Sequence, residues 1–301
     1  MNQRGWMVLA WVAALGGAGR AAGQPGITPD QAAGMRQVSE VTISPDGKWV
    51  LYTVTTADLK ASTTNADLWL VSSSGGEPVR LTYGATLDRG GQWSPDGKWV
   101  GFVSTRDGKP QLYRISPFGG EAVKLTDSKT GVQGFAWAPD GAMWDSTRER
   151  SEPTRFVFTA SRDPTPDEER KEKEKDDALV VDQDFVPARL SLFDLTTMKA
   201  SEVVKGDYQI SGLAWSPNGR EIAYVATPTP RADDGRLADV MVVEVASGAT
   251  RKLLDSPGPD TDPSWSPDGA WLAISTKGAK ASSITQSRLA LVPAGGGSPR
   301  V

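Results

Sequence analysis

Two residue types that carry much of enzyme chemistry are missing from this 301-residue sequence: it has no His and no Cys. Without imidazole there is no Ser-His-Asp triad, no His proton shuttle and no His-ligated zinc. Without thiol there is no disulfide frame, no Cys nucleophile and no thiolate metal site. No S-x-x-K pair supplies a His-free serine nucleophile, and no G-x-x-x-x-G-K-[ST] phosphate loop occurs. The stretch Gly17-x-Gly19-x-x-Ala22 fits a dinucleotide pattern, but it lies in an apolar N-terminal segment, where that pattern has no meaning. Asp260 and Asp262 stand in a Pro/Gly-rich stretch without calcium-loop spacing, so a loop with turn-forming carboxylates is expected there. Ser and Asp recur together in the phrase Ser-Pro-Asp-Gly, but reactive chemistry needs one special copy, and this phrase is repeated. No residue is therefore assigned a catalytic, cofactor-binding or metal-binding role, and no cofactor is expected. The formal net charge of −4 provides no footprint for nucleic acid or anionic lipid.

The N-terminus has the layout of an export address. Arg4 precedes an apolar run from Trp6 to Leu15, and the small residues Ala18, Gly19, Ala21 and Ala22 follow. A positive end, a short apolar core and a small-residue region describe a secretory signal, expected here over residues 1–23. Ten apolar residues fall short of the roughly twenty that span a bilayer. A disulfide-free chain of this kind is expected in the bacterial periplasm or secreted, with no membrane span after cleavage. Residues 24–37 are read as a linker with a short helix: Thr28-Pro29-Asp30-Gln31 combines a capping hydroxyl, Pro at the first helical position and Gln three residues on. That helix is expected to run to about Gln37.

A repeat sets the fold. Ser44-Pro45-Asp46-Gly47 returns as Ser94-Pro95-Asp96-Gly97, Ala138-Pro139-Asp140-Gly141, Ser216-Pro217-Asn218-Gly219 and Ser266-Pro267-Asp268-Gly269. The prolines lie 50, 44, 78 and 50 residues apart. A period of about 40–50 residues is that of propeller blades. Pro, Asp or Asn, and Gly suit successive positions of a tight turn. Trp93, Trp137, Trp215 and Trp265 stand two residues before the Pro, and Ile43 takes that place in the first copy. Alternating segments follow, such as Lys98–Val103, then Gln111–Ile115 and Ala122–Thr126, separated by turns at Arg106-Asp107-Gly108 and Gly119-Gly120-Glu121. Each repeat is thus a four-stranded antiparallel meander, and such meanders must stack face to face around an axis. The expected fold is all-β: a β-propeller over residues 38–301 with about five blades. The Trp excess is expected at a blade-to-blade packing position. Aligning Gly119-Gly120 with Gly295-Gly296 sets Val301 on Leu125, inside a last strand, which predicts an open or incomplete array.

The 78-residue interval holds about thirty surplus residues, assigned to a charged insertion at 148–187. Its segment Asp167–Asp177 reads DEERKEKEKDD and is expected to be a solvated loop or short exposed helix.

The W-S-P-D-G-K-W-V-x-F-V-S pattern, the G-G-E-x-V-x-L-T tail and the acidic insertion resemble the propeller of prolyl oligopeptidase-family serine peptidases, in its acylaminoacyl peptidase and dipeptidyl peptidase branch. Lys175–Asp182, leading into Ala188–Leu195, looks like that branch's middle blades. The resemblance covers residues 27–301, and the turns are shared with TolB-like periplasmic propellers. It implies a propeller that admits short peptides to a C-terminal α/β-hydrolase domain holding Ser, Asp and His. No G-x-S-x-G elbow and no His exist here, so no family catalytic residue carries over. Glu149 and Glu152 are spaced unlike the adjacent Glu pair that grips a substrate amine in dipeptidyl peptidases. The partners implied are that hydrolase domain and a peptide substrate or, for a stand-alone TolB-like propeller, a periplasmic protein.

Overall fold

The structure is a computed structural model that describes residues 27–59, 61–139, 153–175, 185–277 and 286–300. The segment read as a signal, residues 1–23, lies outside the described residues, as do Glu149 and Glu152. The short helix α1 spans Pro29–Ala33. Its cap is reciprocal: Thr28 Oγ1 accepts from the Gln31 N–H at 3.2 Å, and Gln31 Oε1 accepts from the Thr28 N–H at 3.0 Å. It stops earlier than its sequence suggests, because Gly34 follows and Gln37 already begins a strand.

Among the described residues five antiparallel sheets succeed one another. The first is β1 (Gln37–Ile43), β2 (Trp49–Asp58), β3 (Thr63–Ser72) and β4 (Val79–Arg80). The second is β5 (Asp88–Trp93), β6 (Val100–Ser104), β7 (Gln111–Ile115) and β8 (Val123–Lys124). The third is β9 (Val132–Trp137), β10 (Arg155–Ser161), β11 (Ala188–Asp194) and β12 (Lys199–Glu202). The fourth is β13 (Gln209–Trp215), β14 (Glu221–Thr227), β15 (Asp239–Glu244) and β16 (Thr250–Lys252). The fifth has β17 (Asp260–Trp265), β18 (Trp271–Thr276) and β19 (Arg288–Pro293), with its fourth position reduced to a bridge from Leu291 to Arg300. The strands run in sequence order across every sheet. The first strands touch in succession, β1 to β5, β5 to β9, β9 to β13 and β13 to β17, so they line a common hub. Among the described residues no comparable contact joins β17 to β1.

The turn phrase is built the same way in each of the four copies that are fully described. Ser44 Oγ donates to Asp46 Oδ1 at 2.6 Å and accepts from the Trp49 N–H at 2.9 Å, while the Lys48 N–H donates to Asp46 Oδ1. Ser94–Asp96, Ser216–Asn218 and Ser266–Asp268 repeat this network. The hydroxyl hydrogen bond, followed by the backbone N–H, holds the Asp46 and Asp268 carboxyls below the usual range. Gly47, Gly97, Gly219 and Gly269 close these turns with φ between 67° and 74°, the left-handed region that favours glycine.

Trp packs blade on blade, as its spacing predicts. The indole N–H of Trp137 donates to the Gln92 carbonyl at 3.4 Å, that of Trp215 to Ala136 at 3.2 Å and that of Trp265 to Ala214 at 3.1 Å. Each acceptor is the residue just before the preceding blade's Trp. Among the described residues four apolar clusters fill the spaces between blades, and the second to third interface is the most aromatic. There Phe156 stacks on Phe193 at 4.8 Å and meets Trp137 edge-on at 5.8 Å. Gly101 faces this cluster: a Cβ there would lie 2.8 Å from the Trp137 ring and 2.9 Å from Phe135.

The surplus of the third blade divides around strand β10. One part is the connection 138–154, where the second blade has 94–99, and the other is 162–187, where it has 105–110. Helix α2 (Pro166–Glu174) lies in the second part and has no buried residue. Thr165 and Glu168 form a capping box, and Arg162 grips Glu168 with both terminal nitrogens at 2.7 and 2.8 Å. That guanidinium first, and the Thr165 N–H second, hold the Glu168 carboxyl down to about 2. Ion pairs from Lys129 to Glu169 (3.1 Å) and from Lys109 to Glu172 (3.9 Å) seat the helix on two second-blade loops that meet at one end of that blade.

Candidate functional site at the hub

The first strand of every blade is bulged. The register shifts at Ser39/Thr42, Arg89/Gln92, Ser211/Ala214 and Thr261/Ser264, and opposite Thr159/Ala160 in the third blade. In four blades a left-handed residue sits three places before the Trp or Ile: Glu40 (φ 53°), Gly90, Gly212 and Asp262 (φ 54°). Glycine takes this conformation freely, whereas Glu and Asp are strained in it. Glu40 is held there by its own side chain. Its Oε2 accepts from Thr53 Oγ1 in its blade and from the Gly90 N–H of the next, both at 2.7 Å. Strain retained against local preference is a mark of functional positions.

Glu40 borders a cavity of about 320 Å³ that reaches across the first strands of three blades. Its lining includes Arg89, Gln92, Gln133 and Phe135. Among the described residues the Arg89 guanidinium makes no ion pair or hydrogen bond, and Glu40 Oε1 is likewise free. Gln92 Nε2 donates to the Phe135 carbonyl at 2.8 Å, and Gln209 Nε2 donates to Gln133 Oε1 at 3.2 Å, so the polar wall is continuous into the fourth blade. A carboxylate and a cation share one cavity without neutralising each other. Such a wall can hold and orient a small polar ligand. It contains no nucleophile with an adjacent base, which is the arrangement bond-breaking by acyl transfer requires.

Other candidates resolve differently. Asp260 and Asp262 are not in a loop: both belong to strand β17, because the Pro/Gly-rich stretch ends where ladder pairing with Thr276 and Ser275 begins. Asp260 is buried and accepts from Ser256 Oγ at 3.0 Å, and Asp262 accepts from Thr261 Oγ1 at 2.9 Å. Among the described residues no group of three His, Cys, Asp or Glu side chains could hold a metal ion. Asp67 lies buried between the Arg80 guanidinium (2.5 Å) and Asn65 (2.8 Å); burial raises its pKa, and Arg80 opposes that. Sequence reading misses Glu40, although a signal exists: three places before the Trp, the other blades carry Gly90, Gly134, Gly212 and Asp262.

Residues 37–165 match a family model described as the TolB beta propeller domain. The chain is a β-propeller whose residues 37–165 are similar to that domain. The likeness continues beyond residue 165 at the level of fold: a Pyrococcus horikoshii acylaminoacyl peptidase structure superposes with a TM-score of 0.58 at 16% identity, covering 88% of this chain and 39% of that one. Among curated proteins, the uncharacterized peptidase YuxL of Bacillus subtilis is 26% identical over 250 residues, which is 83% of this chain and 31% of YuxL. Dipeptidyl-peptidase 5 of Porphyromonas gingivalis is 31% identical over 86 residues, 29% of this chain and 13% of that protein. The propeller thus spans less than a third of either curated relative. Among its described residues no helix is long and apolar enough to cross a membrane.

Proposed function

We propose that this chain is the substrate-admitting propeller of a secreted serine-type peptidase acting on short peptides, with the catalytic Ser, Asp and His on a separate, C-terminal α/β-hydrolase domain. The observation that carries this reading is the match to a peptidase along 83% of the chain but only 31% of that peptidase. The polar hub wall at Glu40 and Arg89 suits a passage for small zwitterions. We assign residues 1–23 to a cleaved export signal, 24–37 to a linker and 38–301 to the propeller, which sets the protein in the periplasm or outside the cell. The reading frame beyond codon 301 tests the assignment. A Gly-x-Ser-x-Gly elbow and a later His are expected, and a stop codon directly after Val301 overturns it. Purified residues 24–301 are expected not to hydrolyse acyl-peptide or dipeptidyl chromogenic substrates, and turnover abolished by a serine-reactive phosphonate contradicts this.

A second reading is a stand-alone propeller that docks a periplasmic protein. The family match over residues 37–165, described by TolB's name, favours it. Fold likeness alone does not choose between the two roles.

A further inference from the structure

One blade interface breaks the repeat. Trp137, Trp215 and Trp265 each give their indole N–H to the preceding blade, but the Trp93 Nε1 is buried with no acceptor among the described residues. Beside it, Asp96 has a fully buried side chain. Its Oδ1 is used by the Ser94 hydroxyl and the Lys98 N–H, whereas its Oδ2 has no hydrogen-bond donor. Both side chains line a cleft of about 490 Å³ between the Ser-Pro-Asp-Gly turns of the first and second blades. The other walls include Trp49 and Phe118, whose rings meet edge-on at 6.4 Å and 78°. Phe118 is 81% exposed, on a loop where the first and fourth blades place Ser74 and Ser247. Two side chains that each carry an orphaned polar atom, and two aromatic rings, thus line one cleft, and buried polar atoms without partners are costly unless something satisfies them.

The chemistry of these groups limits the occupant. An ammonium serves only Asp96 and a carboxylate only Trp93, whereas a hydroxyl both donates and accepts. Each carboxylate of the lining, Asp46 and Asp96, has a lysine beside it, Lys48 at 3.7 Å and Lys98 at 3.9 Å, and this pairing favours a neutral ligand. Flat apolar faces beside directed polar groups suit a ring that has a C–H face and a hydroxyl edge. We propose that this cleft binds a neutral pyranose sugar. Trp49 and Phe118 take its C–H faces, Trp93 Nε1 donates to a ring substituent and Asp96 Oδ2 accepts from a hydroxyl. This site is separate from the hub and does not depend on the peptidase reading.

The test is titration of the purified chain with maltotriose and, separately, with triacetylchitotriose, followed by calorimetry and by Trp fluorescence. Saturable binding of at least one sugar is expected, with Kd of about 0.1–1 mM. Phe118→Ala, which removes an exposed side chain, is expected to weaken binding at least about tenfold with an unchanged melting temperature. Trp93→Phe, which keeps a ring and deletes the N–H, is expected to weaken it about five- to tenfold. Absence of saturable binding by either sugar to folded protein overturns the proposal, as does binding that Phe118→Ala leaves intact. Binding of a proline-rich decapeptide in place of both sugars assigns the cleft to protein recognition and also overturns it.

Discussion

The interface between the first and second blades and the one between the second and third are built from the same turn phrase and the same strand order, yet they close differently. The second packs ring on ring: Trp137 reaches the Gln92 carbonyl, Phe156 and Phe193 stack, and Gly101 leaves room for the Trp137 and Phe135 rings. The first is left ajar: Trp93 finds no acceptor, a cleft opens beside Trp49 and Phe118, and Glu40 spans the gap at the hub. A repeat protein sums neighbour-to-neighbour contacts, so one loosened junction can be carried by tight ones on either side. The lesson is that the repeat supplies stability and its departures supply binding surfaces.

Four measurements can break or sharpen that contrast. The largest effect is expected from Phe156→Ala, which empties the centre of the aromatic interface and should cost about 3–5 kcal/mol in urea unfolding. Phe118→Ala, on the rim of the open one, should cost under about 0.5 kcal/mol, as exposed positions do. Equal losses would end the distinction. Next, Gly101→Ala forces a methyl against aromatic rings and is expected to cost about 1–3 kcal/mol. Gly91→Ala should cost less, because its methyl meets the movable ends of Leu51 and Leu68 at 2.9 and 3.0 Å. Smaller again is the loss of one indole N–H. The Trp265→Phe variant forfeits a 3.1 Å hydrogen bond of about 1 kcal/mol, whereas at Trp93 the same change removes a donor that has no partner and should be closer to neutral.

The smallest effect belongs to helix α2, which charges rather than packing attach. Because the Arg162 pair depresses Glu168 to about 2, its contribution is intact above the ordinary carboxylate range and fades as pH falls from about 4.5 toward 2. Amide hydrogen-exchange protection within residues 166–174, measured relative to intrinsic exchange at each pH, should fall over that window before the propeller itself unfolds. A helix protected equally at pH 5 and pH 2.5 would show that something other than this pair holds its first turn.

Much of this was legible in the residues. The Ser-Pro-Asp-Gly network fixed the hairpins, because a short polar side chain bonding its own turn is a local event that needs no tertiary information. The Trp position was legible for the same reason: it keeps constant distance from a recognisable turn. Three features were not. Helix α1 ends at Ala33 because β1 claims Gln37 for a ladder, and pairing of that kind is non-local. Asp260 reads as loop because Pro and Gly surround it, but its partner Thr276 draws it into a strand. Glu40 is marked only as the odd residue at a place where the other blades carry Gly or Asp; its role depends on a Gly90 amide from the neighbouring blade, fifty residues away, which no local pattern shows.

The indole contacts also have a direction. In every pair the carbonyl belongs to the earlier blade and the N–H to the later one. Synthesis proceeds from the N-terminus, so each docking oxygen leaves the ribosome before the group that will seek it. A nascent sheet therefore finds its template already waiting, and growth by successive addition is favoured over a search among unformed neighbours.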